Sequence, residues 1–388
     1  VGRDEALGLI PTLEPARLRG GVLYRDGQFD DARLAVALAR TADDLGATVL
    51  NALEVTALGK NPSGMVDRLT ARDTETGETF AVAARSVINA TGVFADELRR
   101  MDDPAQPGIL SPSQGAHVVL DRSFLPGETA LMVPRTDDGR VLFAIPWRGR
   151  VLVGTTDTPV QEVSREPRPL PEELAFLLRH AGRYMVKDPR IEDVRCTFAG
   201  LRPLFRPGGR ATSGTAKVSR EHATLVSQSG LVTITGGKWT TYRRMGRDAV
   251  DLAAKVGGLS RSPSATTDLH LHGWVEKSGG TEFAWLGADE PAFLRMLEES
   301  PGFRKPLHPD LPSLSGEVVW ACRHESARTV EDALARRTRA LLQDARASSE
   351  AAPRVAELMA IELKHDPSWI ASQVEAFQTL ARGYLPER

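Results

Sequence analysis

Residues 231–243, LVTITGGKWTTYR, carry an apolar, β-branched run into two adjacent glycines and then into a stretch that stays helix-forming until Gly257-Gly258. The spacing predicts a strand over 231–235, a turn at Gly236-Gly237 and a helix. Two glycines let backbone come close to a flat ligand. The helix N-terminus beyond them offers unpaired N–H groups and a partial positive charge. Such an end suits a ring edge that gains negative charge, and Lys238 adds a full cation for the ring or for an anionic substrate. Without a ligand, the same residues describe an ordinary strand–turn–helix with a solvated lysine.

Upstream, Ser86-Val87-Ile88-Asn89-Ala90 is a second short apolar strand, running into Thr91-Gly92. A buried strand ending in a small-residue turn commonly packs beside a dinucleotide's diphosphate, which makes Ala90, Thr91 and Gly92 cofactor-binding candidates. Further back, Asp30 and Asp31 cap a helix whose Leu34, Leu38, Ala42 and Leu45 share one face, and Gly46 stops it. A strand at 48–50, a β segment at 54–58 and a hairpin of 66–73 with 79–84, turning at Thr76-Gly77, complete an α/β layout. Residues 1–24, rich in Pro and Gly, read as irregular.

Between 108 and 200 the pattern becomes β-rich, with segments at 116–120, 130–134, 141–145 and 151–154 and one helix over 171–184. After the 231–258 unit, a loop rich in Ser, Pro and Gly runs to about residue 310 around one helix at 290–299. The remainder is helical. Thr329 caps a helix to Leu342, a second covers 353–364, and Asp366-Pro367 opens a last one that stops at Gly383.

A net charge of -2 excludes a general nucleic-acid binder, which needs a strong basic surplus. Cys196 and Cys322, far apart, form neither a disulfide framework nor a zinc spacing, and suit buried thiols in a reducing compartment. No apolar run approaches the ~20 residues that cross a bilayer. His270-Leu271-His272 lacks a third ligand, so no metal is expected. Ser213-Gly214-Thr215 reads as a polar turn. Arg336, Arg337 and Arg339 read as a solvated helix face, with contact to anionic lipid headgroups as the functional alternative.

Two further segments carry chemistry. In Ala199-Gly200-Leu201-Arg202-Pro203-Leu204, an arginine between apolar neighbours is costly to desolvate without an anionic partner. That partner is either a phosphate or carboxylate ligand gripped by the guanidinium fork, or an Asp or Glu of the chain. In Ser113-Gln114-Gly115-Ala116-His117-Val118-Val119, alternation at the start of a strand turns His117 toward a cavity. An imidazole there suits proton abstraction from a substrate hydroxyl at neutral pH, although a lone histidine is more often structural.

Taken in order, Asp30-Asp31-Ala32-Arg33-Leu34, INATGVFAD from Ile88, SQGAHVVL from Ser113, IPWRGRVLVGTTD from Ile145, AGLRPLF from Ala199, GGKWTTYR from Gly236 and TVEDALARRTR from Thr329 resemble the FAD-dependent, quinone-linked glycerol-3-phosphate dehydrogenases. These belong to the D-amino-acid-oxidase-like superfamily, and the resemblance covers nearly the whole chain. It implies an α/β (α+β) fold: a Rossmann-like FAD-binding domain in two stretches (1–108 and 199–262), an inserted antiparallel substrate-binding sheet (109–198) and a helical C-terminal domain (263–388). It implies FAD as cofactor and hydride transfer from glycerol 3-phosphate, yielding dihydroxyacetone phosphate. Electrons would pass to quinone, from a cytoplasmic enzyme held peripherally on the inner face of the membrane, and a homodimer is compatible with it. Carried over, His117, Arg202 and Lys238 are the catalytic candidates. Gly236, Gly237, Lys238, Thr240 and Thr241 join Ala90, Thr91 and Gly92 at the cofactor. Either His117 or Arg202 handles the substrate hydroxyl.

The family opens with a strand, a GxGxxG turn and a helix. No such spacing occurs here: the pairs Gly20-Gly21 and Gly208-Gly209 lack it, and the first residue is Val1. The expectation is therefore an N-terminally truncated form that is inactive by itself. The competing readings are an FAD-dependent amino-acid or amine oxidase relative, and a non-catalytic binding or assembly module without its nucleotide half.

Overall fold

The computed structural model describes residues 1–16, 18–137, 139–206, 221–260, 262–277 and 279–386; Gly208-Gly209 and Ser213-Gly214-Thr215 lie outside them. Helices α1 (Arg3–Leu9) and α2 (Asp31–Asp44) precede an antiparallel sheet of β1 (Leu53–Lys60), β2 (Val66–Asp73) and β3 (Thr79–Ala83). Then β4 (Ile88–Asn89) runs through a 3-10 turn into α3 (Ala95–Asp102). Next come β5 (Ser113–Asp121), β6 (Leu131–Val133), β7 (Leu142–Trp147), β8 (Arg150–Gly154), β9 (Thr158–Pro159), α4 (Pro171–Gly182) and β10 (Val194–Arg202). The chain returns to α/β with β11 (His222–Val226), β12 (Val232–Gly236) and α5 (Tyr242–Val256). It ends in α6 (Glu290–Glu299), α7 (Ser315–His324), α8 (Ala340–Gln343), α9 (Ala345–Leu363) and α10 (Pro367–Arg382).

The six-stranded sheet has the order β10-β5-β8-β7-β6, with β9 also on β5, and all its pairings are antiparallel. Strand alternation divides its residues. Ala116, Val118 and Leu120 face one side, where Val151, Val153 and Leu177 complete a core with α1 and α4. Val119 and Cys196 face the other side and enter the core of the C-terminal helices, built on Phe293, Trp320, Leu334, Leu341 and Met359. The helices thus cover one end of that second face, and its other end carries His117 and Arg202.

Several predicted elements appear where expected. The Asp30 carboxylate caps α2 by accepting the Arg33 N–H (3.1 Å), and the Asp366 carboxylate caps α10 by accepting the Trp369 N–H (3.0 Å). Asp366→Ala is expected to cost about 1 kcal/mol, read as a lower denaturant midpoint, because one orphan N–H loses its acceptor.

Others differ, for identifiable reasons. The strand expected at 48–50 is absent: Val49 and Leu50 are exposed, and a strand forms only as a paired ladder. The opening stretch is not wholly irregular, because Ala6 and Ile10 pack against the sheet core and stabilise α1. The helix expected from Thr329 to Leu342 is interrupted. A π-helix spans Asp332–Arg337, and Arg339 takes a left-handed φ of 63° before α8. The helix expected at 353–364 begins at Ala345 and encloses Pro353. Proline removes the N–H that would reach the Ser349 carbonyl, but Gln378 Nε2 donates to that carbonyl instead (3.3 Å).

Of the three arginines of that region Arg336 is exposed as a solvated residue, whereas Arg337 and Arg339 turn inward. Arg336 pairs with Glu331 and Asp332, Arg337 donates twice to the Glu325 carbonyl, and Arg339 pairs with Asp31 (2.9 Å) and Asp30 (3.7 Å). Arg337 thus ties this segment to the end of α7 and Arg339 ties it to the start of α2, while Arg336 pairs within its own segment.

Candidate active site

Two strand–turn units lie side by side. β12 and β4 pair in parallel, Val232 with Ile88 and Thr233 with Asn89, so their carboxyl ends open in the same direction. Ligands of open α/β sheets bind at that end. Beyond β4, buried Asn89 donates to the Ala95 carbonyl (2.9 Å) and accepts from the Thr91 hydroxyl (2.7 Å), which fixes the Ala90-Thr91-Gly92 turn; Gly92 has a φ of 60°. Beyond β12, Gly236 and Gly237 have φ values of 74° and 73°, and a Cβ on either would overlap Glu221 or Met245. Lys238, Trp239, Thr240 and Thr241 follow, all exposed at the start of the 15-residue helix α5. The Thr241 hydroxyl donates to the Lys238 carbonyl (2.9 Å). Thr235 Oγ1, next to this turn, is buried and has no hydrogen-bond partner.

The second component is a trough on the six-stranded sheet. Register places Ser113, Gly115 and His117 of β5 opposite Arg202, Gly200 and Phe198 of β10, and Gly154 of β8 beside His117. The glycines are required by what lies over them. A Cβ on Gly154 would overlap the His117 imidazole, and one on Gly115 would overlap the Arg202 guanidinium and the Thr155 hydroxyl. His117 stacks on Phe198 with centroids 4.9 Å apart, and its Nδ1 is buried without a partner. Arg202 Nη2 donates to the Thr156 carbonyl (3.0 Å) and the Thr155 hydroxyl (3.3 Å), and Nη1 lies 3.5 Å from Asp157 Oδ1. The ion pair with an acidic side chain, one of the two alternatives for this arginine, is therefore present, and the guanidinium remains partly accessible.

Burial, with the Arg202 cation, pushes the His117 pKa down from 6.5 to about 4, against the opposing pull of the Glu173 carboxylate. His117 is thus neutral at pH 7 and able to accept a proton. As pH falls, the unfolded chain takes up this proton first, so stability is lost from about pH 6.5 down to the folded value near 4. The expected loss is about 1.4 kcal/mol per pH unit across that window. Urea midpoints measured at pH 7, 6 and 5 for the wild type and His117→Asn check it; the variant should show the shallower fall.

One short connector joins the two components. Past Arg202, residues 204–206 pair with 109–111 through Ser111 N–H to Leu204 O (2.9 Å) and Arg206 N–H to Ile109 O (2.8 Å), and Phe205 Cβ rests against Gly236. So His117 and Arg202 share one face, the Ala90–Gly92 and Gly236–Thr241 turns share one sheet end, and β10 runs from the first pair toward the second. Sequence reasoning missed Thr155, Thr156, Asp157 and the glycines at 115 and 154 as site residues. The signal for all but Gly115 was the Gly-Thr-Thr-Asp run at 154–157, which has no chemical reading until β8 is paired with β5. His272 sits between Asp44 and Asp289, and no group of three or more metal-ligating side chains occurs among the described residues.

Residues 1–243 match the family described as FAD dependent oxidoreductase, and residues 287–369 match the C-terminal domain of alpha-glycerophosphate oxidase. The chain is 36% identical to the mitochondrial glycerol-3-phosphate dehydrogenase of Bos taurus, over 97% of this chain and 55% of that protein. It is 35% identical to a probable mitochondrial glycerol-3-phosphate dehydrogenase of Caenorhabditis elegans, over 99% of this chain and 56% of that one. The X-ray structure of the glycerol-3-phosphate dehydrogenase from Bacillus halodurans complexed with FAD matches over 100% of this chain and 79% of its own, with a TM-score of 0.83 and 27% identity. The chain spans about half the length of the curated relatives it matches. With one family match over 1–243 and relatives alike along almost its whole length, the chain belongs to the FAD-dependent oxidoreductase family.

Proposed function

We propose that the chain carries the substrate side and the flavin-ring side of an enzyme that oxidises sn-glycerol 3-phosphate to dihydroxyacetone phosphate. The observation that carries this is the shared face of His117 and Arg202 over a glycine-floored trough, joined by β10 to the Gly236 turn. The residues present fit the ring end of FAD: backbone that approaches closely at Gly236-Gly237, exposed Lys238, Thr240 and Thr241 at a helix start, and the orphaned Thr235 hydroxyl. FAD, when bound, supplies the two-electron acceptor. In this reading 1–108 and 199–262 form the FAD-binding domain, 109–198 the substrate sheet and 263–388 the helical domain.

The roles of the two polar groups separate on their acidity. Arg202 keeps its proton at any working pH, so it binds the substrate phosphate or polarises the C2 oxygen. His117, neutral at pH 7, accepts the C2 hydroxyl proton. A dianionic phosphate beside Arg202 would offset the cation that depresses His117, so substrate binding strengthens the base. Lys238 offers a second cation for the ring edge or the phosphate. Electrons pass on to a quinone, through peripheral contact with a membrane; among the described residues no helix is long and apolar enough to cross one.

The test is the visible absorption spectrum of the purified chain with added FAD. A bound flavin band that bleaches with glycerol 3-phosphate supports the proposal. Flavin that binds but bleaches only with an amino acid replaces the substrate, and no bound flavin removes activity from this chain as it stands.

A further inference from the structure

We infer that Glu173, on α4 behind the sheet, is a positioning residue for both His117 and Arg202, acting through the Thr156 hydroxyl. This rests on reading the trough as the substrate site. Glu173 is 3% exposed, and no cation pairs with it among the described residues. Its Oε1 accepts the hydroxyls of Thr156 (2.7 Å) and Thr158 (2.6 Å), and its Oε2 accepts Gln114 Nε2 (2.7 Å) and the Leu170 N–H (2.9 Å). A buried carboxylate without a cation is costly unless hydrogen bonds satisfy it, and here four neutral donors do.

A carboxylate can only accept, so Thr156 must donate toward Glu173. That leaves the Thr156 oxygen lone pairs for the Ala116 N–H (2.9 Å), the residue immediately before His117. The Thr156 carbonyl in turn accepts from Arg202 Nη2 (3.0 Å). One side chain behind the sheet therefore sets the turn that holds the guanidinium and pins the strand that carries the imidazole. Gln114, one residue before Gly115, is tied into the same carboxylate and also to the Arg168 carbonyl (2.9 Å). The negative charge of Glu173 also reaches His117, raising its proton affinity against burial and Arg202. Glutamine at 173 would turn an NH2 group toward the two donors that one carboxylate oxygen now accepts and deprive both of that acceptor.

The experiment uses the full chain with FAD and compares wild type, Glu173→Gln, Thr156→Val, Thr156→Ser and the Glu173→Gln/Thr156→Val pair. Glu173→Gln and Thr156→Val should each lower kcat/KM for glycerol 3-phosphate on the order of tenfold or more, since misplaced reacting groups cost that much. The pair should be no worse than either single change, and Thr156→Ser should stay near wild type. Additive losses, or a Glu173→Gln variant as active as wild type, overturn the inference. In parallel, NMR follows the His117 ring as pH falls, with His117→Asn identifying its signal; this needs neither turnover nor flavin. Loss of the Glu173 charge should move the His117 midpoint to lower pH. If wild type does not turn over, the proposed activity fails separately, and an unmoved His117 midpoint then refutes the role of Glu173, while a lowered one supports it.

Discussion

Replacing Arg202 with alanine is expected to lower kcat/KM for glycerol 3-phosphate by on the order of 10²- to 10³-fold, the loss typical of a charge-assisted contact in a partly buried site. The guanidinium lies over Gly115, with Nη2 on Thr155 and Thr156 and Nη1 beside Asp157, and it remains partly accessible. Alanine removes both donors and takes a cation from beside Asp157. Lysine keeps the charge but not the fork, so Arg202→Lys should fall between the two. The split between constants decides which job Arg202 does. A raised KM with little change in kcat makes it a clamp for the phosphate, whereas equal falls in kcat and kcat/KM make it the group that polarises the C2 oxygen. The acid limb of the pH profile adds an independent sign. Arg202 is one of the forces holding His117 down, so its removal should move that limb to higher pH. Unchanged kcat/KM in Arg202→Ala would remove this residue from the site.

The second large effect concerns stability. Glu325→Ala is expected to cost about 3–5 kcal/mol, the range for breaking a buried ion pair from one side. Glu325 is 4% exposed at the end of α7 and accepts both arms of Arg33 from α2, at 2.7 and 2.6 Å. Its carbonyl also accepts two bonds from Arg337, and Arg33 lies over the Trp285 ring at 4.5 Å. Truncation therefore leaves a buried guanidinium uncompensated at a junction between α2 and the C-terminal helices. Replacing both partners, as Arg33→Met with Glu325→Leu, should recover most of the loss, because matched apolar groups avoid the desolvation cost. Denaturant midpoints of the two singles and the pair measure this; a single variant within about 1 kcal/mol of wild type would contradict it.

Much of this was legible in the linear chain because it is local. A strand–Gly-Gly–helix is written in thirteen consecutive residues, and caps such as Asp30 and Asp366 act within three positions. His117 and Arg202 were identifiable by type: an ionisable side chain inside an apolar strand needs a reason to be there. Where expectation failed, a distant partner had decided. Val49 and Leu50 have the composition of a strand and lack a ladder. Pro353 reads as a helix start until Gln378, twenty-five residues further on, takes its orphan carbonyl. The arginines at 337 and 339 look solvated until Glu325, Asp30 and Asp31 arrive from other elements.

By itself the sequence determined the α/β class and the identity of the main ionisable candidates, since those rest on short-range periodicity and residue chemistry, and its motifs carried the resemblance to a flavoprotein family. Only the tertiary structure decided that Gly115 and Gly154 floor a trough, that Thr156 links α4 to Arg202, and that His117 is neutral with a pKa near 4. Each of those depends on antiparallel register between residues as far as 89 positions apart and on the desolvation that packing imposes, and neither quantity exists until the chain has closed on itself.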